Sequence, residues 1–198
     1  LKLNSDEKEN LAIIQTEINR LNNLVKDVLQ FSRQMELDFS EFDLFDLVVT
    51  IKNKLYNKLK NKNISLINNS DKVSLTADRD KLTQVFLNLI ENSIEAIGSD
   101  GEIKLTSQID ENKNQIKILI TDTGSGINND IRVFEPFFTT KSSGTGLGLS
   151  VAQKIIEQHK GKIGLVSSKQ GETVFEIILP LNELNNREKD LQKSQYEQ

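Results

Sequence analysis

Polar side chains that could bind a metal ion lie along a segment with helical periodicity, LTQVFLNLIENSIEAI. Asn88, Asn92 and Glu95 are spaced four and three residues apart, so a helix would place them along one edge. Two amide oxygens one turn apart suit Mg²⁺, which takes one or two protein oxygens and completes its shell with water and phosphate. The alternative, on this helix alone, is a pair of solvated asparagines in a chain rich in Asn.

A second group of polar residues follows a segment with the alternation of a strand, ILITDTGSGI. Asp122 ends this segment, and Gly124 and Gly126 permit a tight turn and the close approach of a ligand. A carboxylate at a strand end can accept a hydrogen bond from an exocyclic amine. Taken alone, the D-x-G-x-G pattern is a common turn.

The third group is the glycine-rich stretch FEPFFTTKSSGTGLGLS. Gly144, Gly146 and Gly148 surround the start of a helix that we expect to begin near Leu147. The free amides of a helix N-terminus bind phosphate, and Lys141 adds a positive charge nearby. The serines before Gly144 predict a mobile segment of the kind that a lid needs.

Composition limits the classes of function. The chain has 198 residues, no cysteine and a net charge of −4, which excludes disulfides and thiolate chemistry and argues against a nucleic-acid partner. No apolar run approaches the roughly 20 residues of a membrane-spanning helix. Because the chain opens without Met, we expect a fragment of a longer cytoplasmic protein, or of the cytosolic part of a membrane-anchored sensor, with any membrane segment outside this chain.

The elements that must position these residues begin with a helix. Its apolar residues recur at spacings of three and four: Leu11, Ile14, Ile18, Leu21, Val25 and Val28. Asp6 and Glu9 offer a capping box at its start. Such a narrow stripe predicts a partner helix and oligomerisation. The alternative is an amphipathic helix that packs on its own domain.

Helices and strands then alternate without a clear βαβ repeat. We predict a linker that ends in a short strand, helices over 44–59 and 80–97, strands at ISLINN and VSLTAD, a hairpin from GEIKLTSQI to QIKILITD, a helix at LSVAQKIIEQH, and a second hairpin from GKIGLVSS to TVFEIILP. The predicted fold class is α+β: a two-layer α/β sandwich with a mixed, mostly antiparallel sheet under helices, preceded by a long coiled-coil-like helix. The expected domains are 1–34 (helix), 35–43 (linker), 44–181 (globular domain) and 182–198 (polar tail).

Taken together, the motifs resemble one family. N-x-x-x-N, D-x-G-x-G, F-x-P-F-F and G-T-G-L-G-L occur in the order of the four boxes of the histidine-kinase catalytic domain, over about residues 42–180. That domain belongs to the superfamily shared with gyrase, the heat-shock chaperone ATPase and the mismatch-repair ATPase. FEPFFTTK with GTGLGLS is most similar to nitrogen-regulation and sporulation kinases. The N-terminal helix resembles the second helix of their dimerisation and phosphotransfer hairpin.

The resemblance implies ATP and Mg²⁺ as cofactors, a response-regulator receiver domain as partner, and a homodimer when the whole hairpin is present. Asn92 would bind Mg²⁺, with Asn88 and Lys141 in catalytic roles near the metal and phosphates. Asp122 would accept from the adenine amine, and Gly126 and Thr173 would complete the base pocket through water. The remaining nucleotide-binding residues implied are Gly124, Ile127, Phe134, Phe138, Thr139, Gly144, Thr145, Gly146, Leu147 and Gly148. The resemblance implies no phosphate contact for Glu95.

The chain departs from the family in two places. The phosphoacceptor motif H-E-x-x-N/P would precede Leu11 and is not in this sequence, whose only histidine, His159, we expect to be structural. The chain should therefore bind ATP–Mg²⁺ without phosphorylating itself. The segment NNDIRV is also shorter than its counterpart, which predicts a changed pocket edge or weaker lid coupling, or no effect.

The sequence leaves two alternatives to a kinase fragment. One is a dimerisation and docking relative with a vestigial nucleotide pocket. The other is a different branch of the superfamily, either an ATP-hydrolysing machine or a protein-serine kinase. The resemblance implies that the hydrolysing members carry a glutamate at the position of Asn88. Because asparagine cannot act as a general base, we expect slow or absent ATP hydrolysis.

Overall fold

The computed structural model describes residues 36–127, 132–139 and 144–181, together with several positions between 10 and 25. The elements in these ranges are β1 (Ser40–Asp43), α1 (Leu44–Lys54), α2 (Tyr56–Asn61), β2 (Ile64–Asn69), β3 (Ser74–Ala77), α3 (Arg79–Ile97), β4 (Gly101–Asp110), a 3₁₀ turn (Glu111–Lys113), β5 (Gln115–Asp122), α4 (Gly148–Gln158), β6 (Lys162–Lys169) and β7 (Glu172–Pro180).

The main sheet has five strands in the order β2-β4-β5-β7-β6. Both predicted hairpins form, since β4 pairs antiparallel with β5 and β6 pairs antiparallel with β7. Only the β2–β4 pair within this sheet is parallel, because the chain crosses over through β3 and α3 between these two strands. The prediction of a mixed, mostly antiparallel sheet is confirmed, with β1 and β3 forming a separate two-stranded sheet.

One face of the main sheet is buried under the helices. In β5 every second residue is buried, and β7 shows the same alternation. α3 and α4 cover this face with apolar side chains that include Phe86, Leu89, Ile90, Ile155 and Ile156, all of them fully buried. The period of two in the strands and the wide apolar stripe of the helices therefore produce the expected two-layer sandwich.

The predicted helix over 44–59 is interrupted. α1 ends at Lys54 and α2 begins at Tyr56, because Leu55 takes φ −94° and ψ 1°. The amide of Leu55 still donates to the carbonyl of Ile51 at 3.0 Å, and Leu55 and Leu59 are both buried. The apolar spacing continues across the break, so hydrophobic periodicity could not reveal it.

His159 joins three parts of the fold. It follows α4, is 2% exposed, and its Nδ1–H donates to the carbonyl of Ile155 at 2.8 Å. Its Nε2 accepts from the backbone amide of Asp78 at 3.0 Å, and Asp78 caps α3 through the amide of Lys81. The ring centroid of Phe39, in the predicted linker, lies 5.3 Å from that of the imidazole. These contacts agree with the structural role expected for His159.

The described positions between 10 and 25 are helical, as predicted. Their apolar stripe is exposed, with Leu11, Ile14, Ile18, Leu21 and Val25 each about half accessible to solvent. The predicted capping box, Val28 and the polar tail over 182–198 lie outside the described residues. Among the described residues, no helix is both long and apolar enough to cross a membrane.

Candidate functional site

Asp122 is the polar end of an apolar row. Along β5 the residues that face the helices are Ile116, Ile118, Ile120 and then Asp122, which is 2% exposed. Its Oδ1 accepts from the amide of Gly124 at 2.9 Å, and its Oδ2 accepts from Ser93 Oγ at 2.8 Å. Each carboxylate oxygen has a second lone pair, so Asp122 can accept a further hydrogen bond from a ligand.

Thr173 lies directly opposite Asp122 in the β5–β7 register. It too begins a buried row, since Phe175, Ile177 and Leu179 follow it on the same face. Thr173 Oγ1 is buried and, within the part of the chain that the structure describes, has no hydrogen-bond partner. Because buried hydroxyls are normally paired, this oxygen fits a ring nitrogen of a base or a water that bridges to one.

The turn after Asp122 is held between α3 and the β6–β7 hairpin. The amide of Ser125 donates to the carbonyl of Ala96 at 3.2 Å, and the amide of Gly171 donates to the carbonyl of Gly124 at 2.8 Å. A Cβ at position 124 would lie 2.8 Å from Ala96 Cβ, so only glycine allows this approach to α3. The turn thereby forms a fixed wall beside Asp122.

The far side of the same wall is also anchored. The amide of Ile127 donates to Ser168 Oγ at 2.6 Å, and Gly126 lies against the backbone of Lys169. These contacts bring the predicted residues Gly124, Gly126 and Ile127 next to Asp122 and Thr173.

The β6–β7 hairpin also contains a perturbed carboxyl group. Hydrogen bonds from Lys169 and then Ser167 hold the pKa of the exposed Glu172 carboxyl below its usual value.

Asn88 connects α3 with the start of α4. Its Nδ2 donates to the carbonyl of Gly148 at 2.9 Å, which leaves Oδ1 as the atom that could bind a cation. Asn92 lies one turn further along α3 and is half-buried, whereas Glu95 is exposed. Asn88 thus lies on the side of α3 that faces the start of α4, and Asn92, four residues later, lies on the same side of the helix.

The glycine-rich segment ends in a helix start at which the N-cap residue, Leu147, provides no side-chain cap. α4 begins at Gly148, one residue after Leu147, whose side chain is fully buried. Leu147 therefore contributes only its backbone to any ligand site, while Gly144 and Thr145 are half-buried before it. The first amides of α4 are aligned with the helix dipole and suit an anionic group.

Phe134 and Phe137 attach the preceding segment to the domain in different ways. The Phe134 ring packs edge-to-face on Phe175, with centroids 6.2 Å apart. The Phe137 ring is 61% exposed, and its amide donates to the carbonyl of Gly146 at 3.0 Å. Phe137 has φ +66° and Gly146 φ +70°, and a Cβ on Gly146 would lie 2.5 Å from the Phe137 carbonyl carbon.

Two contributors to the site were not anticipated. Ser93 occupies a buried position of α3, one turn after the apolar Leu89. A polar residue on the buried face of the helix could have indicated from the sequence that Ser93 belongs to the site. Phe137 lies inside the F-x-P-F-F motif, but nothing in its residue type indicates a positive φ. Of the predicted residues, Phe138 is half-buried and Thr139 exposed, while Lys141 and residues 128–131 of the short segment lie outside the described residues.

The fold and this arrangement define a nucleotide-binding class of protein, and comparison with known families identifies it. A family model described as histidine kinase-, DNA gyrase B- and HSP90-like ATPase matches residues 77–183. The chain belongs to this family, within the histidine-kinase ATP-binding catalytic domains.

Sensor histidine kinases are the relatives that it resembles. The sensor histidine kinase ZraS of Escherichia coli K12 is 37% identical over 174 residues, which cover 86% of this chain and 37% of that protein. Sporulation kinase A of Bacillus subtilis is 31% identical over 85% of this chain and 28% of its own length. The chain thus spans about a third of the length of the curated relatives it matches.

Solved structures of histidine kinases share the fold of this chain. The nucleotide-free catalytic domain of the histidine kinase ThkA superposes with a TM-score of 0.66 at 36% identity, over 73% of this chain and 96% of that domain. ThkA in complex with the response regulator TrrA gives a TM-score of 0.77 at 33% identity, over 92% of this chain and 53% of ThkA.

Proposed function

We propose that this chain is the catalytic part of a sensor histidine kinase, which binds ATP–Mg²⁺ and donates the γ-phosphate to a histidine outside the chain. The phosphate would then pass to an aspartate of a response-regulator receiver domain. The observation that carries the proposal is the buried pair Asp122 and Thr173, which face each other on neighbouring strands. Asp122 can accept a further hydrogen bond, and the Thr173 hydroxyl has no partner among the described residues.

Asp122 would bind the exocyclic amine of adenine through a free lone pair of its carboxylate. Thr173 Oγ1 would reach a ring nitrogen directly or through a water. The turn over 124–127 would form the edge of the base pocket, because it is fixed on both sides by α3 and the β6–β7 hairpin. A site that pairs with a polar group of its ligand discriminates strongly against ligands that lack that group.

The phosphates would lie between the two asparagines and the start of α4. Asn92 would coordinate Mg²⁺ through its amide oxygen, and Asn88 would support the metal and phosphate shell while bound to Gly148. The amides over 144–148 would wrap the triphosphate, and Lys141 would approach it as a point charge. Mg²⁺ supplies neutralisation of phosphate charge, so that the residues of the chain mainly position the reacting group.

The domain organisation follows from the same proposal. Residues 1–34 would be the second helix of the dimerisation hairpin, whose exposed apolar stripe would pack in a bundle with a second subunit. Residues 35–43 would act as the hinge, 44–181 as the catalytic domain, and 182–198 as a polar tail. The complex of ThkA with TrrA supports a response regulator as the partner of this chain too. The proposed location of both is the cytoplasm.

A non-catalytic relative with a vestigial pocket is the competing proposal. The two proposals differ in nucleotide binding, because a vestigial pocket would not retain affinity for ATP–Mg²⁺.

A thermal-shift titration of the whole chain with ATP–Mg²⁺ tests the proposal. We expect the wild-type chain to be stabilised, by about 2.7 kcal/mol at a ligand concentration of 100 Kd. Asp122→Ala and Asn92→Ala should remove the shift, since the first loses the carboxylate that would accept from the amine and the second loses the metal ligand. Asn57→Ala, at an exposed position of α2, is the matched control and should respond like the wild type.

The possible outcomes separate the alternatives. No shift for the wild-type chain would favour the vestigial pocket. A full shift in either site variant would show that the nucleotide binds elsewhere, and it would overturn the assignment of that residue.

A further inference from the structure

Buried hydroxyl groups in helices of this domain usually bond to their own helix. Thr83 Oγ1 donates to the carbonyl of Arg79 at 2.7 Å, and Ser150 Oγ donates to that of Leu147 at 2.9 Å. Such local bonds are the common choice for serine and threonine within helices. Ser93 differs, because its hydroxyl leaves α3 and donates to Asp122 Oδ2 at 2.8 Å.

The Ser93–Asp122 bond is fully enclosed. Each of the two residues is 2% exposed. In this setting a hydrogen bond to a carboxylate is stronger than at the surface, and loss of the donor leaves a buried charged oxygen with one partner fewer. Ser93 therefore has a larger influence on Asp122 than its size suggests.

Two donors hold the carboxylate at its two oxygens. The amide of Gly124 binds Oδ1 and the hydroxyl of Ser93 binds Oδ2, which together fix the plane of the carboxylate. Ala96, one turn after Ser93 on the same face of α3, contacts Gly124 and accepts from Ser125. One face of α3 thus positions both the carboxylate and the turn that supplies its other donor.

We propose that Ser93 is a positioning residue that gives this site its preference for a 6-aminopurine. It orients Asp122 so that the remaining acceptor direction of the carboxylate meets the exocyclic amine, beside the hydroxyl of Thr173. This inference rests on the proposed function, since it requires that Asp122 reads the base. Its role is exerted through Asp122 and predicts no contact between Ser93 and the nucleotide.

The test compares two ligands that differ only at the atom in question. Dissociation constants for ADP and for the 5′-diphosphate of purine riboside, which lacks the 6-amino group, are measured by isothermal titration calorimetry with Mg²⁺ present. Ser93→Ala should weaken ADP binding by about tenfold and leave the purine riboside diphosphate within about twofold of the wild type. The preference for ADP should then largely disappear.

Three companion variants sharpen the comparison. Thr83→Ala removes a buried hydroxyl from the same helix near its other end and should change neither constant. Ser93→Thr keeps the hydroxyl and should keep the preference for ADP. If Ser93→Ala fails to fold, Ser93→Cys, which has a similar shape and a weaker donor, is measured in the same way and should lose ADP affinity selectively.

An equal loss of affinity for both nucleotides would assign Ser93 to packing alone and overturn the inference, as would no loss for ADP. A wild-type chain that binds both nucleotides equally would overturn the reading of the amine by Asp122 while leaving ATP binding intact. A wild-type chain that binds neither would contradict the proposed function itself.

Discussion

At the scale of single residues, the burial of Asp122 follows from the alternation of inward-facing and outward-facing side chains along β5. Ile116, Ile118 and Ile120 face the helices, so a residue two positions later must face them as well. A carboxylate in that place is buried, and it needs the two donors that Ser93 and Gly124 supply. The alternation predicts the burial, but it cannot identify Ser93, which is far away in the sequence.

Gly146 provides a test at the same scale. Its φ is +70°, and a Cβ added there would lie 2.5 Å from the Phe137 carbonyl carbon, which leaves no room for a side chain. Gly146→Ala should therefore displace the segment before α4 and weaken ADP–Mg²⁺ binding at least tenfold. Calorimetric titration measures the dissociation constant. The unfolding temperature should change only slightly, because position 146 contacts little of the apolar core.

Gly164→Ala in β6 is the control for this substitution. Apart from its two chain neighbours, no described residue has a heavy atom within 4 Å of a Cβ at position 164, so ADP affinity should be unchanged. Equal affinity of the Gly146 and Gly164 variants would contradict the importance of the Phe137–Gly146 contact.

At the scale of elements, α4 has different tasks at its two ends. Its N-terminus lies beside Asn88 and has no side-chain cap, as a phosphate-binding helix start requires. Its C-terminus is followed by His159, which is bonded to Asp78 at the start of α3 and packs on the linker residue Phe39. The helix thus spans from the proposed phosphate site to the linker.

Replacement of His159 by Leu should separate these two tasks. It removes the acceptor for the Asp78 amide and leaves that buried donor unpaired, which should lower the free energy of unfolding by about 1–3 kcal/mol. Urea denaturation measures this loss. The ADP dissociation constant should stay within about twofold, because the nucleotide would bind at the opposite end of α4.

Gln158→Ala, at an exposed position beside His159, should leave the unfolding free energy within about 0.5 kcal/mol of the wild type. If the His159 variant were as stable as this control, the bonds of the imidazole would not be structural. A large loss of ADP affinity without a loss of stability would instead indicate a functional role for His159.

The element scale also shows where periodicity fails. The stripe formed by Ile51, Leu55 and Leu59 is continuous, although the backbone breaks at Leu55 and separates α1 from α2. A side-chain pattern reports which face is buried, and both sides of the break bury the same face. The bounds of α3 were predicted within one residue. Asp78 caps its start by accepting from the amide of Lys81, and Gly98, with φ +77°, follows its last residue.

At the scale of the whole molecule, the chain carries a nucleotide-binding family domain but not the family's phosphoacceptor motif. When incubated with γ-labelled ATP and Mg²⁺, it should acquire no acid-labile phosphate. It should also release phosphate only slowly, because by the family resemblance Asn88 would stand where hydrolysing relatives carry their general base, and asparagine cannot act as one. Gel autoradiography and a phosphate-release assay check the two expectations.

A chimera supplies the positive control. When residues 1–34 are replaced by the complete phosphotransfer hairpin of a relative, the label should appear and should be lost on treatment with acid. Label on the original chain, or phosphate release at the rate of an ordinary ATPase, would contradict the proposed division of labour.

The sequence by itself determined the family and the order of the chemical groups. Strand alternation, helix periodicity and capping are local, which is why the α+β class and both hairpins could be predicted from residue types alone. Each of these features involves residues only a few positions apart, whose relative placement is fixed by the backbone geometry of a helix or a strand.

The family resemblance already implied that Thr173 lies in one pocket with Asp122, but only the tertiary structure decided through which contacts separate groups meet. Register places Thr173 opposite Asp122, the packing of α3 on the sheet brings Ser93 to the same carboxylate, and the return of the chain brings Gly146 to Phe137. Each contact joins residues that are not neighbours in the sequence, and it depends on how whole elements and segments pack together. No local pattern contains that information, because the burial that selects it arises only when the sheet and helices enclose one core.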